Sequence, residues 1–152
     1  PELFEAWKLM DEVLELDAAW AKELGVSVER RGAGGKLFLD PSLLRRVLIN
    51  LVSNALQAMP SGGKLLVTIE PRGERLAIEI CDTGAGVPDE VRAKLFEPYF
   101  TTRSTGTGLG LAIAKRVVEE MGGTIALDAN DPPPGTCAEV ELALHRSAPD
   151  AG

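Results

Sequence analysis

Apolar residues recur at helical spacing from Leu3 to Leu24, through Phe4, Trp7, Met10, Val13, Leu14, Ala18 and Ala21, and Gly25 follows as a stop. A single amphipathic helix is predicted there. Val26 to Arg30 alternates like a strand, residues 31–35 read as a glycine-rich turn, and Leu37-Phe38-Leu39 as a second short strand. Asp40 can cap a helix and Pro41 suits its first turn, so a helix is expected from Pro41 to about Met59, where Pro60-Ser61-Gly62-Gly63 ends it. Leu65 to Glu70 and Leu76 to Cys81 then form a hairpin about Pro71-Arg72-Gly73-Glu74. A loop from Asp82 to Pro88 leads to a short helix, Asp89 to Phe96, and a second loop, Glu97 to Gly110, leads to an amphipathic helix, Leu111 to Met121. Strand runs at Thr124 to Ala129 and Thr136 to Leu144 flank a proline-rich loop, and residues 147–152 read as a frayed tail. Strands cluster without regular βαβ alternation, so the expected fold class is α+β, a mixed sheet with helices packed on one face.

Composition narrows the function. Sixteen basic against twenty-three acidic residues leave a net charge of −7, which opposes binding to a polyanion, so no nucleic-acid partner is expected. No apolar run approaches the roughly 18 residues of a membrane span, and no secretory leader is legible at Pro1-Glu2-Leu3. A cytoplasmic, soluble piece of a larger protein, without membrane contact of its own, is the expectation. Cys81 and Cys137 have neither metal-ligand spacing nor the density of a disulfide scaffold, and read as buried reduced thiols.

Three segments carry candidate chemistry. On the helix from Pro41, the apolar positions Leu44, Val47, Leu48, Leu51, Ala55, Ala58 and Met59 share one side, while Arg46, Asn50, Asn54 and Gln57 form a polar stripe within about 80° on the other. Asparagine is a mediocre helix former, so two of them one turn apart are either a merely polar face or neutral oxygens aimed at a ligand such as a hydrated metal ion. Asp82-Thr83-Gly84-Ala85-Gly86-Val87-Pro88 leaves a strand directly: either a tight turn, or a fixed carboxylate that accepts from an exocyclic amine beside glycines that admit a flat ring. Gly106-Thr107-Gly108-Leu109-Gly110 opens a helix, where backbone N–H groups favour phosphate, yet it fits neither a dinucleotide fingerprint nor a Walker loop.

In order and spacing, Asn50-Leu-Val-Ser-Asn54, Asp82-Thr-Gly-Ala-Gly86, Phe96-Glu-Pro-Tyr-Phe100 and Gly106-Thr-Gly-Leu-Gly110 resemble the four boxes of the histidine-kinase ATP-binding domain. The likeness covers about residues 36 to 145, and Gln57-Ala58-Met59 with Pro98 to Arg103 is most similar to the nitrogen-regulation subgroup. It implies a Bergerat-type two-layer sandwich with a mostly antiparallel sheet, a catalytic domain over 1–146, and residues 1–25 leading into it. It also implies ATP and Mg²⁺ as ligands. Asn50 and Asn54 would be catalytic, Asn54 the principal Mg²⁺ ligand and Asn50 a possible one. Asp82 would accept the adenine amine, with Gly84, Gly86, Val87 and Thr136 around it. The stretch from Phe100 through Arg103, Thr105, Gly106, Thr107, Gly108 and Leu109 to Gly110 would form a lid over the phosphates. Gln57 stands where relatives often carry lysine, which leaves Arg103 as the candidate phosphate cation. Where gyrase and MutL ATPases carry a water-activating glutamate this chain has Asn50, and an amide cannot serve as that base.

The implied reaction is transfer of the γ-phosphate to a histidine on a separate dimerisation domain of the same parent kinase, with a response regulator downstream. The piece itself is expected to be monomeric. His145 reads as a surface residue ending a strand, not a phospho-acceptor. An anti-sigma-type serine kinase and a nucleotide-sensing module without catalysis are the alternatives.

Overall fold

The computed structural model describes residues 1–98 and 110–146. Its first element departs from the sequence expectation. Residues 2–5 are not helical but form strand β1 (Glu2–Glu5), paired antiparallel with β3 (Lys36–Leu39) in the register Glu2↔Leu39 to Glu5↔Lys36. Glu5 Oε1 accepts from Gly35 N at 2.9 Å and Trp7 Nε1 donates to Gly32 O at 3.1 Å, so contacts some 25 to 30 residues away override the local helical period. The remainder divides at Asp17 into α1 (Ala6–Leu16) and α2 (Ala18–Leu24), the second closed by Gly25 in the left-handed region.

A five-stranded sheet has the order β2 (Val26–Arg31), β4 (Gly63–Arg72), β5 (Arg75–Cys81), β7 (Thr136–Ala143), β6 (Thr124–Ala129). Only β2 and β4 run parallel; every other pairing is antiparallel. Against one face pack α1, α3 (Pro41–Gln57) and α5 (Gly110–Glu120), while α4 (Asp89–Arg92) and a 3₁₀ turn (Ala93–Phe96) run along the edge of the layer. The α+β sandwich expected from the sequence is the one formed.

The core follows the two periodicities. From α3, Leu44, Val47, Leu48, Leu51, Val52, Ala55 and Leu56 are buried, and the strands answer with Leu65, Val67 and Ile69, with Leu76, Ile78 and Ile80, and with Val140 and Leu142. The alternate strand positions face the other way and carry an ion-pair cluster: Arg72 lies 2.5 Å from Glu139, 3.2 Å from Glu141 and 3.6 Å from Glu79. Asp40 caps α3 as expected, accepting from Ser42 N at 2.9 Å.

Cys81 and Cys137 are opposite each other on β5 and β7, their Cα atoms 4.0 Å apart, and are joined by a disulfide. This corrects the expectation of two reduced thiols: 56 residues separate them along the chain, and only the strand pairing brings them together. Among the described residues, no helix is long and apolar enough to cross a membrane.

Candidate functional site

Asp82 continues the inward parity of Leu76, Ile78 and Ile80 one step past the end of β5, so a carboxylate is delivered to the helix side of the sheet. It is 6% exposed, the one buried charged residue among those described. Main-chain pairing persists there, Asp82 N donating to Thr136 O at 2.9 Å. Its carboxylate oxygen Oδ1 accepts from Gly84 N at 2.9 Å and Thr136 N at 3.2 Å, while Oδ2 has no hydrogen-bond partner among the described residues. Burial pushes the carboxyl above the usual carboxylate range, against the opposing pull of the Gly84 and Thr136 backbone donors.

The loop carrying Asp82 is held from three sides. Thr83 Oγ1 accepts from Lys64 N at 3.0 Å, and Asn130 Nδ2 donates to the Asp82 carbonyl at 2.8 Å. Gly84 lies so close to the end of α3 that a Cβ there would stand 2.2 Å from the Ala58 carbonyl oxygen. A side chain would therefore force apart the two elements that frame the site.

Between α3 and the sheet opens a cleft. Its walls are apolar, with Leu51, Ala55 and Ala58 from the helix facing Ile80, Ala138 and Leu127 from the strands, and Val87, Leu95 and Leu111 across the mouth. Its polar groups are Asn54, Asp82 and Thr136. A narrow apolar slot ending in a buried acceptor suits a flat heteroaromatic ring that carries an N–H donor. One turn before Asn54, Asn50 lies at a neighbouring groove with Arg46 and Ile113. There the start of α5 abuts α3: a Cβ on Gly110 would stand 2.7 Å from Asn50 Oδ1. Neutral amide oxygens and a helix N-terminus thus meet beside the slot, a combination suited to a hard cation and the anion it accompanies.

Of the residues singled out from the sequence, Asn54, Asp82, Val87 and Thr136 line the cleft, and Asn50 and Gly110 touch at the adjoining groove. Gly84 and Gly86 shape the loop between. Gln57 is exposed, donates to Ser53 Oγ at 3.3 Å, and does not line the cleft. Phe100, Arg103, Thr105, Gly106, Thr107, Gly108 and Leu109 lie outside the described residues. Before that segment, Phe96 is fixed to α5 by Lys115, whose Nζ stands 5.4 Å from the ring centroid. Sequence reasoning missed Ile80, Leu95, Leu127 and Ala138, which read as ordinary core positions, and it missed Asn130, which sits in a turn where asparagine is commonplace.

The residues from 39 to 146 match the family described as histidine kinase-, DNA gyrase B-, and HSP90-like ATPase. Among curated relatives, the nitrogen regulation protein NtrY of Azorhizobium caulinodans is 42% identical over 119 residues, 74% of this chain and 15% of that protein. Among solved structures, the mycobacterial sensor histidine kinase MprB superposes with a TM-score of 0.87 at 30% identity, covering 96% of this chain and 99% of that one. Full-length ShkA in complex with AMPPNP gives a TM-score of 0.82 at 28% identity, covering 95% of this chain and 32% of that one. The chain thus spans about a seventh of that curated relative's length. With the family model covering more than two-thirds of its residues, the chain belongs to the histidine kinase-, DNA gyrase B- and HSP90-like ATPase family.

Proposed function

We propose that this chain binds Mg-ATP in the cleft beneath α3 and presents the γ-phosphate to a histidine on a separate dimerisation domain of its parent sensor kinase. The observation that carries the reading is the buried Asp82 carboxylate, with Oδ2 unpartnered among the described residues at the end of an apolar slot. Such an oxygen calls for a donor and discriminates against a carbonyl, so it selects the amine of adenine over the oxygen guanine carries there. The AMPPNP complex of the structural relative ShkA supports the same class of ligand.

The other residues have complementary tasks. Leu51, Ala55, Ile80 and Ala138 enclose the ring and exclude water. Asn54 supplies an amide oxygen to a Mg²⁺ shell and Asn50 holds the junction with Gly110, where the N-terminus of α5 favours the phosphates. Mg²⁺, when bound, neutralises phosphate charge and orients the leaving group. Arg103 and the segment to Leu109 would close over the phosphates.

Among the described residues, Asp82 is the only titratable one lining the cleft, and it is committed to the base end. No general base among the described residues stands at the cleft to activate water, so hydrolysis should be slow and the domain's contribution is positioning and charge stabilisation for an external nucleophile. His145 does not serve: it is exposed, bridges to Lys36, and lies 6.1 Å from Phe38 ring to ring, at none of the cleft walls. The parent kinase would work in the cytoplasm and pass its phosphate to a response regulator. Calorimetric titration with Mg-ATP, Mg-ADP and Mg-GTP tests the site: the adenine nucleotides should bind and the guanine nucleotide should not. Equal binding of all three would overturn the role given to Asp82.

A further inference from the structure

The face of the sheet turned away from the helices carries a second reactive group. Cys81 shares that face with Glu79, and Cys137 with Glu139, so the disulfide lies back to back with the cleft. We propose that Cys81 and Cys137 form a redox site that exchanges with dithiols, and that its oxidised form tightens the nucleotide cleft on the opposite face. The inference rests on the ATP-binding reading of that cleft.

The coupling is geometric. The pair occupies the register position immediately before Asp82 and Thr136, both of which line the cleft. At that next position the two strands exchange their last contacts: Asp82 N donates to Thr136 O at 2.9 Å, and Thr136 N donates to Asp82 Oδ1 at 3.2 Å. A covalent link one residue away holds the separation of β5 and β7 where the carboxylate takes its second donor. Reduction lets the sulfurs part to van der Waals contact, and the strands lose that restraint.

Asn130 provides a second line of communication. Its Nδ2 donates to the Asp82 carbonyl at 2.8 Å, while its Oδ1 lies 3.5 Å from Cys137 Sγ. A disulfide sulfur has no proton to give, whereas a thiol can donate to that oxygen. The Asn130 amide therefore meets a different partner in the two redox states, and it is the same amide that steadies the backbone of Asp82.

The chemistry is ordinary thiol–disulfide exchange. Cys137 is the more exposed residue of the pair. A thiolate of the dithiol attacks Cys137 Sγ, the S–S bond breaks, and Cys81 departs as a thiolate that takes up a proton. The second thiol of the reductant then displaces Cys137 as a thiol and closes the reductant into a cyclic disulfide, two electrons and two protons having passed to the protein. Oxidation is the reverse step against a disulfide of the same class.

The test prepares this chain in oxidised and in dithiothreitol-reduced form, counts free thiols by alkylation and mass, and measures Mg-ATP affinity calorimetrically. The expected result is two alkylated cysteines only after reduction, and an affinity about threefold or more tighter in the oxidised form, as pre-organisation of a site confers. The double variant Cys81→Ser, Cys137→Ser should bind like the reduced form with or without reductant. Should that variant fail to fold, the wild-type comparison decides alone. Equal affinities in the two redox forms, or two free thiols after oxidation, would overturn the coupling while leaving the ATP site standing. Absence of Mg-ATP binding in every form would overturn the coupling and the ATP reading together.

Discussion

At Asp82 binding and stability pull in opposite directions. Its carboxyl is raised by burial, so in the nucleotide-free protein the charged form is the costly one. A carboxylic acid whose folded pKa lies above its unfolded value contributes stability at acid pH, and that contribution is lost as pH rises through the folded pKa. Replacing it with a neutral amide should therefore raise the melting temperature of the ligand-free protein at neutral pH, with the difference shrinking toward acid, as a calorimetric scan at several pH values will report. The same Asp82→Asn substitution should weaken Mg-ATP by about 1.5–3 kcal/mol, the worth of a charge-assisted hydrogen bond. Asn54→Ala separates the base from the phosphates. It should weaken Mg-ATP far more than adenosine in parallel titrations, because the amide oxygen serves the metal and not the ring. Equal losses for the two ligands would remove Asn54 from the metal site.

Helix α3 was legible in the sequence because every local device agrees with its final packing: the Asp40 cap, Pro41 in the first turn, and an apolar stripe that became the core. The polar stripe was less decisive, since Asn54 reaches the cleft whereas Gln57, three residues on, does not. At the other extreme, Leu3 and Phe4 fit a helical period yet belong to β1, because the partner strand β3 lies more than 30 residues away and no local pattern announces it. The cleft walls were hidden for a related reason: Ile80 and Ala138 alternate like any core strand residue, and only the tertiary gap between α3 and the sheet distinguishes them. The junction of α3 with the Asp82 loop is where an element-scale change should be felt most. Gly84→Ala would drive a methyl to 2.2 Å from the Ala58 carbonyl. It should cost about 1–3 kcal/mol of stability in denaturant unfolding and lower nucleotide affinity as well, since α3 and the loop must move apart.

At the scale of the whole molecule, the described residues proposed to hold the nucleotide lie together, and the one histidine of the chain lies apart from them. The carboxylate, the asparagines and the start of α5 converge on one side of the sheet, while the single histidine sits by β3. The most direct measurement is therefore to incubate this chain with γ-labelled Mg-ATP, alone and with the separately purified dimerisation domain of its parent kinase. Acid-labile label should appear on the added domain, should be absent from the chain alone, and should persist when the chain carries His145→Ala. Acid-labile label on the isolated chain, lost in His145→Ala, would contradict the account.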